Sequence, residues 1–266
     1  MYEERLAGFA PTTAHPARTW NYWLGGKDNY EADREAGDAI LEIYPEIADM
    51  ARFQRAFLRR IIRYFTVDCG IRQFLDIGTG LPTADNTHEV AQRLAPEARV
   101  VYVDNDPIVL RHAEALLRST PEGRTDYIEA DLRDPGRILD EAARTLDFTQ
   151  PVAITLLGVL LFIPGDDTVD AIMGRLRDVM APGSHLALTH TTTAVGGGRT
   201  DDAAKEWNDN SPNPMVMRTP EHIRGYVRDL ELLEPGIVPL TRWRPDPADA
   251  SRTRDIDEFC AVARKP

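Results

Sequence analysis

Cysteine is scarce, and its placement excludes the common metal sites. The chain has only Cys69 and Cys260 in 266 residues, far apart and outside any C-x-x-C pair. Closely spaced cysteines are the usual ligands of structural zinc. We therefore predict no bound metal, and we expect both residues to be reduced thiols packed inside a cytoplasmic protein.

Long hydrophobic runs are missing as well. The longest, VAITLLGVLLFIP at residues 152–164, has about a dozen residues, which is too short to cross the roughly 30 Å hydrocarbon layer of a membrane as a helix. We interpret it as a buried strand. The opening MYEERLAGFAPTTAHPA lacks the basic start and apolar run of a secretory signal, and we expect no membrane partner.

Positive charge is in deficit. The chain has 31 Lys and Arg against 43 Asp and Glu, which gives a net charge of −12. This charge repels phosphate backbones, so we predict that nucleic acid is not a partner. The 42% hydrophobic and 28% charged fractions are ordinary for a globular protein, and the length suits one large α/β domain or one domain with an added segment.

From residue 73 onward, short apolar runs alternate with helical patterns. The strand candidates are QFLDIG, RVVYVD, DYIEAD, VAITLLGVLLFI and SHLALTH. Strand and helix alternating in this way predict a parallel sheet with helices on both faces. Thr219 and Pro220 predict the start of a helix that continues to about Leu230. The last runs, VPLTRW and EFCAVAR, have no helix between them and are expected to pair as an antiparallel hairpin.

The preceding part of the chain is helical. Phe53, Phe57, Ile61 and Phe65 recur every four residues and predict one buried helix face. Five arginines lie mostly on the other faces: Arg52, Arg55, Arg59, Arg60 and Arg63. We interpret them as a solvated basic face, with an anion site for substrate as the alternative.

The stretch FLDIGTGLPT at residues 74–83 is the most informative. A strand that ends in Gly78-x-Gly80 lets the backbone turn sharply and approach a ligand closely. Asn86 and Glu89 form the capping-box pattern of a following helix. A turn without any ligand is the alternative.

Two acidic residues follow the next two predicted strands. Asp104 is placed to accept hydrogen bonds from both ribose hydroxyls of a nucleotide, and Asp131 from an adenine amine. Either one alone fits a helix cap or turn equally well. Together, at successive strand ends, they predict an adenosine-shaped ligand.

Charge then separates the possible adenosine compounds. Asp76 would repel the pyrophosphate of a dinucleotide at the glycine turn. It would instead favour S-adenosylmethionine (SAM), which has an ammonium and a sulfonium and no phosphate. Thr83 also stands where a dinucleotide fingerprint has its third glycine. We predict SAM as the cofactor, and NAD with an oxidoreductase activity remains the minor alternative.

These motifs resemble class I SAM-dependent methyltransferases. The shared features are D-x-G-x-G after strand one, an acid after strand two, an Ala-Asp pair after strand three, and APG at residues 181–183. The resemblance implies an α/β, Rossmann-like fold with a seven-stranded, mostly parallel sheet and a C-terminal antiparallel hairpin. Nearly the whole chain also resembles a bacterial family of SAM methyltransferases, formerly a domain of unknown function, that opens with R-x-x-x-Y-x-x-G-G-K-D-N, as at residues 18–29 here.

The resemblance implies two parts, an N-terminal helical lid over residues 1–66 and a SAM-binding domain over residues 67–266, within one compact domain. In RTWNYWLGGKDNY, Trp20, Tyr22 and Trp23 would lie on one side of a Gly25-Gly26 hinge. The alternative is that the aromatic residues only anchor the first helix, and Lys27 and Asp28 pair across the turn. The predicted cofactor-binding residues are Asp76, Gly78, Thr79, Gly80, Asp104, Asn105, Ala130, Asp131, Leu132, Gly158, Tyr22, Gly26 and Asn29.

Methyl transfer needs a base only if the acceptor must lose a proton. The candidates are Tyr22, Tyr30, His88 and His190, and for both histidines a purely structural role is the alternative. Relatives often carry a His after strand four, where this chain has Leu160-Leu161-Phe162, which predicts an apolar pocket and an apolar or aromatic acceptor. AVGGGRTDDAAKEW is expected to form a mobile loop over that acceptor, or a plain surface excursion.

The sequence thus predicts an enzyme that transfers a methyl group to a small molecule by in-line displacement. A SAM-binding sensor or partner protein without transferase activity is the alternative. The sequence makes no prediction of oligomeric state.

Overall fold

The computed structural model describes residues 11–116, 118–246 and 253–266. Three sequence predictions reach beyond these ranges. They concern the first ten residues of the chain, the end of the helical pattern after Pro107, and the middle of the polar loop before the last strand.

Nine helices and eight strands are formed by the described residues. The helices are α1 Pro16–Trp23, α2 Glu31–Ile43, α3 Ile47–Val67, α4 Thr87–Leu94, α5 Pro107–Leu116, α6 Pro135–Ala142, α7 Asp166–Val179, α8 Gly198–Asn210 and α9 Pro220–Tyr226. The strands are β1 Gln73–Ile77, β2 Arg99–Asp104, β3 Arg124–Glu129, β4 Ala153–Leu157, β5 His185–Thr191, β6 Glu231–Leu232, β7 Val238–Pro239 and β8 Glu258–Arg264.

The strands form one mixed sheet. Its order is β3-β2-β1-β4-β5-β8-β6, and β7 also pairs with β8. Strands β1 to β5 are parallel, whereas β8 runs antiparallel to β5, β6 and β7. The predicted α/β class and the terminal antiparallel pairing are confirmed.

The sheet nevertheless has eight strands within the described residues, instead of the seven predicted. The run VPLTRW contributes only the two residues of β7, because the chain then enters a 3₁₀ turn at Leu240–Arg242. The unpredicted β6 arises because α9 ends at Tyr226, earlier than expected. Asp229 adopts a positive φ of 66° and turns the chain back towards the sheet.

Side chains alternate along the strands between two hydrophobic layers. In β1, Phe74 packs into one layer, whereas Leu75 and Ile77 pack into the other. The first layer contains α2, α3 and α8, and the second contains α6, α7 and α9. This two-residue alternation is what a parallel sheet covered on both faces requires.

Helix α3 packs in the first layer. Phe57, Ile61 and Phe65 are fully buried, as the four-residue spacing predicts, whereas Phe53 is half-buried at the edge of the helix face. Helix α3 therefore packs against the sheet itself, in the same hydrophobic layer as α2 and α8. The division of the chain at residue 66 stays a prediction.

The arginines of α3 do more than face solvent. Arg55 donates to the backbone oxygens of Ala84 and Asp85, each at 3.0 Å, and Arg60 donates to the oxygen of Leu240 at 2.8 Å. These bonds fix loops against the helix. The interpretation of a uniformly solvated basic face is therefore wrong for Arg55 and Arg60.

Candidate functional site

The turn after β1 is shaped by two glycines. Gly78 and Gly80 have φ values of +75° and +63°, in the region that side chains disfavour. The Gly78 amide donates to the oxygen of Val103 at 2.8 Å, which ties the turn to β2. A Cβ on Gly80 would meet no atom within 4 Å. The backbone here forms a fixed cradle that leaves room for a ligand.

Asp104 lies across this turn at the end of β2. One carboxylate oxygen accepts from the Gly80 amide at 2.9 Å, and the other accepts from the Asp106 amide at 3.0 Å. Burial raises the pKa of Asp104 to about 6. Each carboxylate oxygen has two lone pairs and uses one of them for a backbone amide, so each can also accept a ribose hydroxyl.

Asp76 lies below the turn and is fully enclosed. Its two oxygens accept from the hydroxyls of Thr87 at 2.6 Å and Thr155 at 2.7 Å. Burial raises the pKa of Asp76, and both hydroxyls and the charge of Arg55 oppose that rise. Asp76 therefore links the start of α4 to β4, and its predicted selection of a cationic ligand remains a hypothesis.

Asp131 follows β3 at the rim of the same edge. Its Oδ1 accepts from the Arg133 amide and from Arg133 Nε, both at 2.9 Å. The side chain is 40% exposed. The predicted contact with an adenine amine is compatible with this position and stays a prediction.

A cavity of about 210 Å³ opens along this edge of the sheet. All predicted cofactor-binding residues of the strand ends line it: Asp76, Gly78, Thr79, Gly80, Asp104, Asn105, Ala130, Asp131, Leu132 and Gly158. The parallel strands bring these residues together because their carboxyl ends meet at one edge.

The cavity continues under α1, α2 and α8, where its lining is mostly apolar. The lining residues there include Trp20, Trp23, Tyr44, Met50, Leu161, Phe162, Trp207 and Met215. Trp207 is only 2% exposed, and its Nε1 donates to the oxygen of Asn213 at 2.6 Å. The apolar surface that the sequence predicts after strand four is present.

The sequence did not predict the buried carboxylate of Glu258 in this apolar part. Glu258, at the start of β8, is 1% exposed and lines the cavity together with Gln54 of α3 and Thr191 of β5. Its carboxylate accepts from Gln54 Nε2 at 3.1 Å and from Thr191 Oγ1 at 2.8 Å. A single Glu opening an otherwise apolar strand was the available signal, but its location depends on the pairing of β8 with β5.

The two candidate histidines do not line the cavity. His190 Nδ1 lies 2.7 Å from the oxygen of Thr191, and Nε2 lies 3.3 Å from Arg218 Nη1. Burial lowers the pKa of His190 to about 4. A neutral ring that donates to Thr191 and accepts from Arg218 has no free lone pair, so the arrangement favours the structural alternative.

His88 is likewise engaged elsewhere. Its Nδ1 lies 2.8 Å from the hydroxyl of Tyr102, which also accepts from the His88 amide. Tyr102 donates to Nδ1 when the ring proton is on Nε2, and accepts from Nδ1 in the other tautomer. Burial lowers the pKa of His88, and the neutral ring connects α4 to β2.

The candidate tyrosines also lie outside the cavity lining. Tyr22 donates to Asp38 at 2.6 Å, and its ring packs over Gly37, where a Cβ would lie 2.7 Å from the ring. Tyr30 precedes α2, is 39% exposed and has the Arg18 guanidinium over its ring. In these positions both side chains make packing contacts, and their roles as bases stay predictions.

Gly26 and Asn29 also lie outside the cavity lining. Asn29 Nδ2 donates at 3.0 Å to both Asn21 Oδ1 and the Gly26 oxygen, and a Cβ on Gly26 would overlap Asn21. Asp28 Oδ1 lies 3.9 Å from His112 Nδ1, and the described side chains of Asp28 and Lys27 form no ion pair with each other. The side chains of Asn21 and Asn29 thus fill the turn at Gly25-Gly26. Trp20 and Trp23 on α1, by contrast, line the cavity.

The glycine-rich segment before α8 is fastened to the sheet. Asp257 accepts from the amides of Val195 at 2.7 Å and Gly196 at 2.8 Å, and from Thr200 Oγ1 at 2.5 Å. The cover of the cavity on this side comes from α8, through Thr200, Ala203, Ala204 and Trp207. The expected mobile loop is replaced by a helix held at its start.

Comparison with known proteins agrees with this geometry. The sequence profile of the S-adenosyl methyltransferase family matches residues 6–266. The chain is 46% identical to a DUF574 family protein from Streptomyces avermitilis MA-4680, with a TM-score of 0.91, over 96% of this chain and 98% of the other. It is 40% identical to a proposed methyltransferase from Thermobifida fusca YX, with a TM-score of 0.87 and 96% of each chain covered.

More distant structures share the fold. The N-methyltransferase NodS from Bradyrhizobium japonicum WM9, in complex with S-adenosyl-L-homocysteine (SAH), is 15% identical with a TM-score of 0.50, over 94% of this chain and 99% of that one. No curated protein matches. Because the family profile covers residues 6–266 and two structures of the same kind are at least 40% identical, the chain belongs to the S-adenosyl methyltransferase family and is a SAM-dependent methyltransferase.

Proposed function

We propose that the enzyme transfers the methyl group of SAM to a small molecule whose body is largely apolar. The observation that carries this proposal is the single cavity, which joins the cofactor edge of the sheet to an apolar chamber under α1, α2 and α8. A donor bound at the glycine turn and an acceptor in the chamber would meet inside the protein. The cover over the chamber suits a small acceptor better than a macromolecule.

The residues of the sheet edge would hold the cofactor. The backbone of residues 78–80 leaves space for it, Asp104 accepts its ribose hydroxyls, and Asp131 accepts from its adenine amine. SAM supplies a methyl group on a positively charged sulfur, which is already an activated leaving group.

The chamber would orient the acceptor and exclude water. Trp23 and Trp207 are 5% and 2% exposed, so their rings give the chamber rigid apolar walls. Alignment of the acceptor atom with the methyl carbon and sulfur is the main contribution such a site makes to an in-line displacement.

The proposal is tested by calorimetry and product analysis. We expect SAH and SAM to bind, NAD not to bind, and SAH to accumulate by mass spectrometry with an acceptor from a panel of small aromatic and aliphatic amines, alcohols and thiols. Asp104→Asn is the matched cofactor-site variant and should lose SAH affinity. Binding of SAM without any methylated product from that panel would favour the SAM-binding sensor instead.

We infer that the reaction takes place in the cytoplasm of a bacterial cell, and without nucleic acid. Cys69 and Cys260 are both free thiols, the net charge is −12, and the similar proteins come from Streptomyces and Thermobifida. Among the described residues, no helix combines the length and apolar character needed to span a bilayer. Cell fractionation with an antibody to the chain tests this location.

A further inference from the structure

The apolar chamber contains a carboxylate that forms no ion pair within the part of the chain that the structure describes. Glu258 accepts hydrogen bonds from Thr189, Thr191 and Gln54, which are neutral donors. Among the described residues, no Lys, Arg or His forms an ion pair with it or shifts its pKa. Burial raises the pKa of Glu258, and these hydrogen bonds oppose that rise.

The carboxylate lies where the two parts of the cavity meet. A Cβ on Gly158, at the end of β4, would lie 3.8 Å from Glu258 Oε1. The next residue, Val159, packs against Gly78 of the glycine turn, where a Cβ would lie 2.6 Å from the Val159 Cβ. Glu258 therefore lies beside Gly158, whose neighbour in the chain, Val159, makes the contact with the glycine turn.

A buried carboxylate without a counter-ion is costly, and a cation bound beside it removes that cost. Aromatic rings around the chamber also attract cations through their faces, and Trp23, Tyr44, Phe162 and Trp207 all line it. An alcohol would offer one more neutral hydrogen bond, whereas a protonated amine would also balance the charge. The combination of one carboxylate and several rings fits an ammonium group on an apolar body.

We propose that the methyl acceptor is an amine on an apolar or aromatic body and that Glu258 holds its nitrogen. This inference rests on the proposed function. In the transfer, the protonated nitrogen gives one N–H proton to the Glu258 carboxylate, and the freed lone pair forms the bond to the methyl carbon. The carbon–sulfur bond breaks, and its electron pair stays on the sulfur.

The test measures binding to the SAH-saturated enzyme by calorimetry. The probes are benzylamine, 2-phenylethylamine and tryptamine, each compared with the alcohol of the same skeleton. We expect at least one amine to bind about tenfold or more tightly than its alcohol. Glu258→Gln keeps the shape and removes the charge, and it should reduce this preference to within about twofold while it still binds SAH.

Asp255→Asn is the matched control, because it removes an exposed carboxylate three residues earlier that pairs with Arg242 outside the cavity. It should keep the preference for the amine. With SAH bound, equal or tighter binding of the alcohols, no binding of any amine, or a preference that survives Glu258→Gln each overturns the inference. If Glu258→Gln does not fold, the comparison of each amine with its alcohol on the wild-type protein still tests the inference.

Two further outcomes separate this inference from others. If Glu258→Gln weakens binding of SAM but not of SAH, the carboxylate serves the sulfonium and the inference is wrong. If the wild-type protein binds neither SAM nor SAH, the proposed function itself fails.

Discussion

The two parts of the cavity, which we propose as the cofactor part and the acceptor part, are built in different ways. The cofactor part comes from short turns after consecutive parallel strands, at residues 78–80, 104–105 and 130–132, and is held mainly by backbone hydrogen bonds. The acceptor part is assembled from α1, α2, α8 and β8, which lie far apart in the chain. A site of the first kind can be recognised as a motif, whereas a site of the second kind exists only after packing.

The acceptor part also depends more on side-chain pairs. Arg18 Nε donates to Asp33 Oδ2 at 2.9 Å, with both side chains fully buried. Asp33 also accepts from the amides of His15 and Tyr30, each at 2.8 Å. This one carboxylate thus fixes α1 against α2, so a substitution that removes its partner should strongly destabilise the protein.

Arg18→Met is therefore expected to have the largest effect. Removing one member of a buried pair leaves Asp33 without its counter-ion, which typically costs about 3–5 kcal/mol of unfolding free energy. Urea unfolding followed by circular dichroism measures it. The control Arg52→Met removes an exposed partner of Asp49 and should cost at most about 1 kcal/mol. Equal losses of unfolding free energy in the two variants would contradict the conclusion that the buried Arg18–Asp33 pair holds α1 against α2.

Asp104→Asn tests the cofactor part. The amide cannot accept ribose hydroxyls as well as the carboxylate does, and the loss of hydrogen bonds to a charged group should weaken SAH binding by about 1.5–3 kcal/mol. Calorimetry measures the change. Asp131→Asn should have a smaller effect, about 1 kcal/mol, because Asp131 is 40% exposed and paired with Arg133. An unchanged affinity in folded Asp104→Asn would remove the ribose assignment.

The same carboxylate predicts a pH dependence. Because burial raises the pKa of Asp104 to about 6, the group is mostly neutral at pH 5 and mostly ionised at pH 7. Ribose hydroxyls bind the ionised form, so SAH affinity should rise about tenfold between these pH values, or about 1.4 kcal/mol. In Asp104→Asn the change of SAH affinity between pH 5 and pH 7 should be about tenfold smaller. Any change that is left would come from the other buried carboxylates, Asp76 and Asp106. An identical pH profile in both proteins would show that Asp104 does not control binding.

Tyr22→Phe should have the smallest effect. The Tyr22 hydroxyl makes an exposed hydrogen bond to Asp38, so its loss should cost about 0.5 kcal/mol or less of unfolding free energy. SAH affinity should stay within about twofold, measured by calorimetry. A tenfold loss of affinity would mean that Tyr22 turns into the cavity when the cofactor binds, and would support its predicted role in cofactor binding.

The sequence could indicate that the predicted cofactor-binding residues of the strand ends meet at one edge of the sheet, because the signals are local. Gly78, Gly80 and Asp104 sit at strand ends, and the ends of parallel strands always meet at one edge. The capping box of Asn86 and Glu89 is confirmed for the same reason, since the Asn86 amide donates to Glu89 three residues later at 2.8 Å. Such features need only the neighbouring backbone.

The candidate bases illustrate what local signals miss. His190 lies at the end of a strand, where a catalytic base was predicted. Its Nε2, however, lies 3.3 Å from Nη1 of Arg218, which is twenty-eight residues further along the chain. Tyr22 stands in a distinctive block, yet it faces Asp38 on α2. In each case the side chain's partner comes from another element, and no spacing within the motif indicates it.

The sequence by itself determined the alternation of strands and helices from β1 to β5, the glycine turn and the acidic strand ends. These features depend on backbone geometry and on two-residue or four-residue periodicity, which are local properties of the chain. Only the tertiary structure decided which polar group enters the apolar chamber. Glu258 reaches it because β8 pairs antiparallel with β5, with Thr191 opposite Glu258, and because Gln54 approaches from α3. That placement follows from the long-range packing of three separate elements.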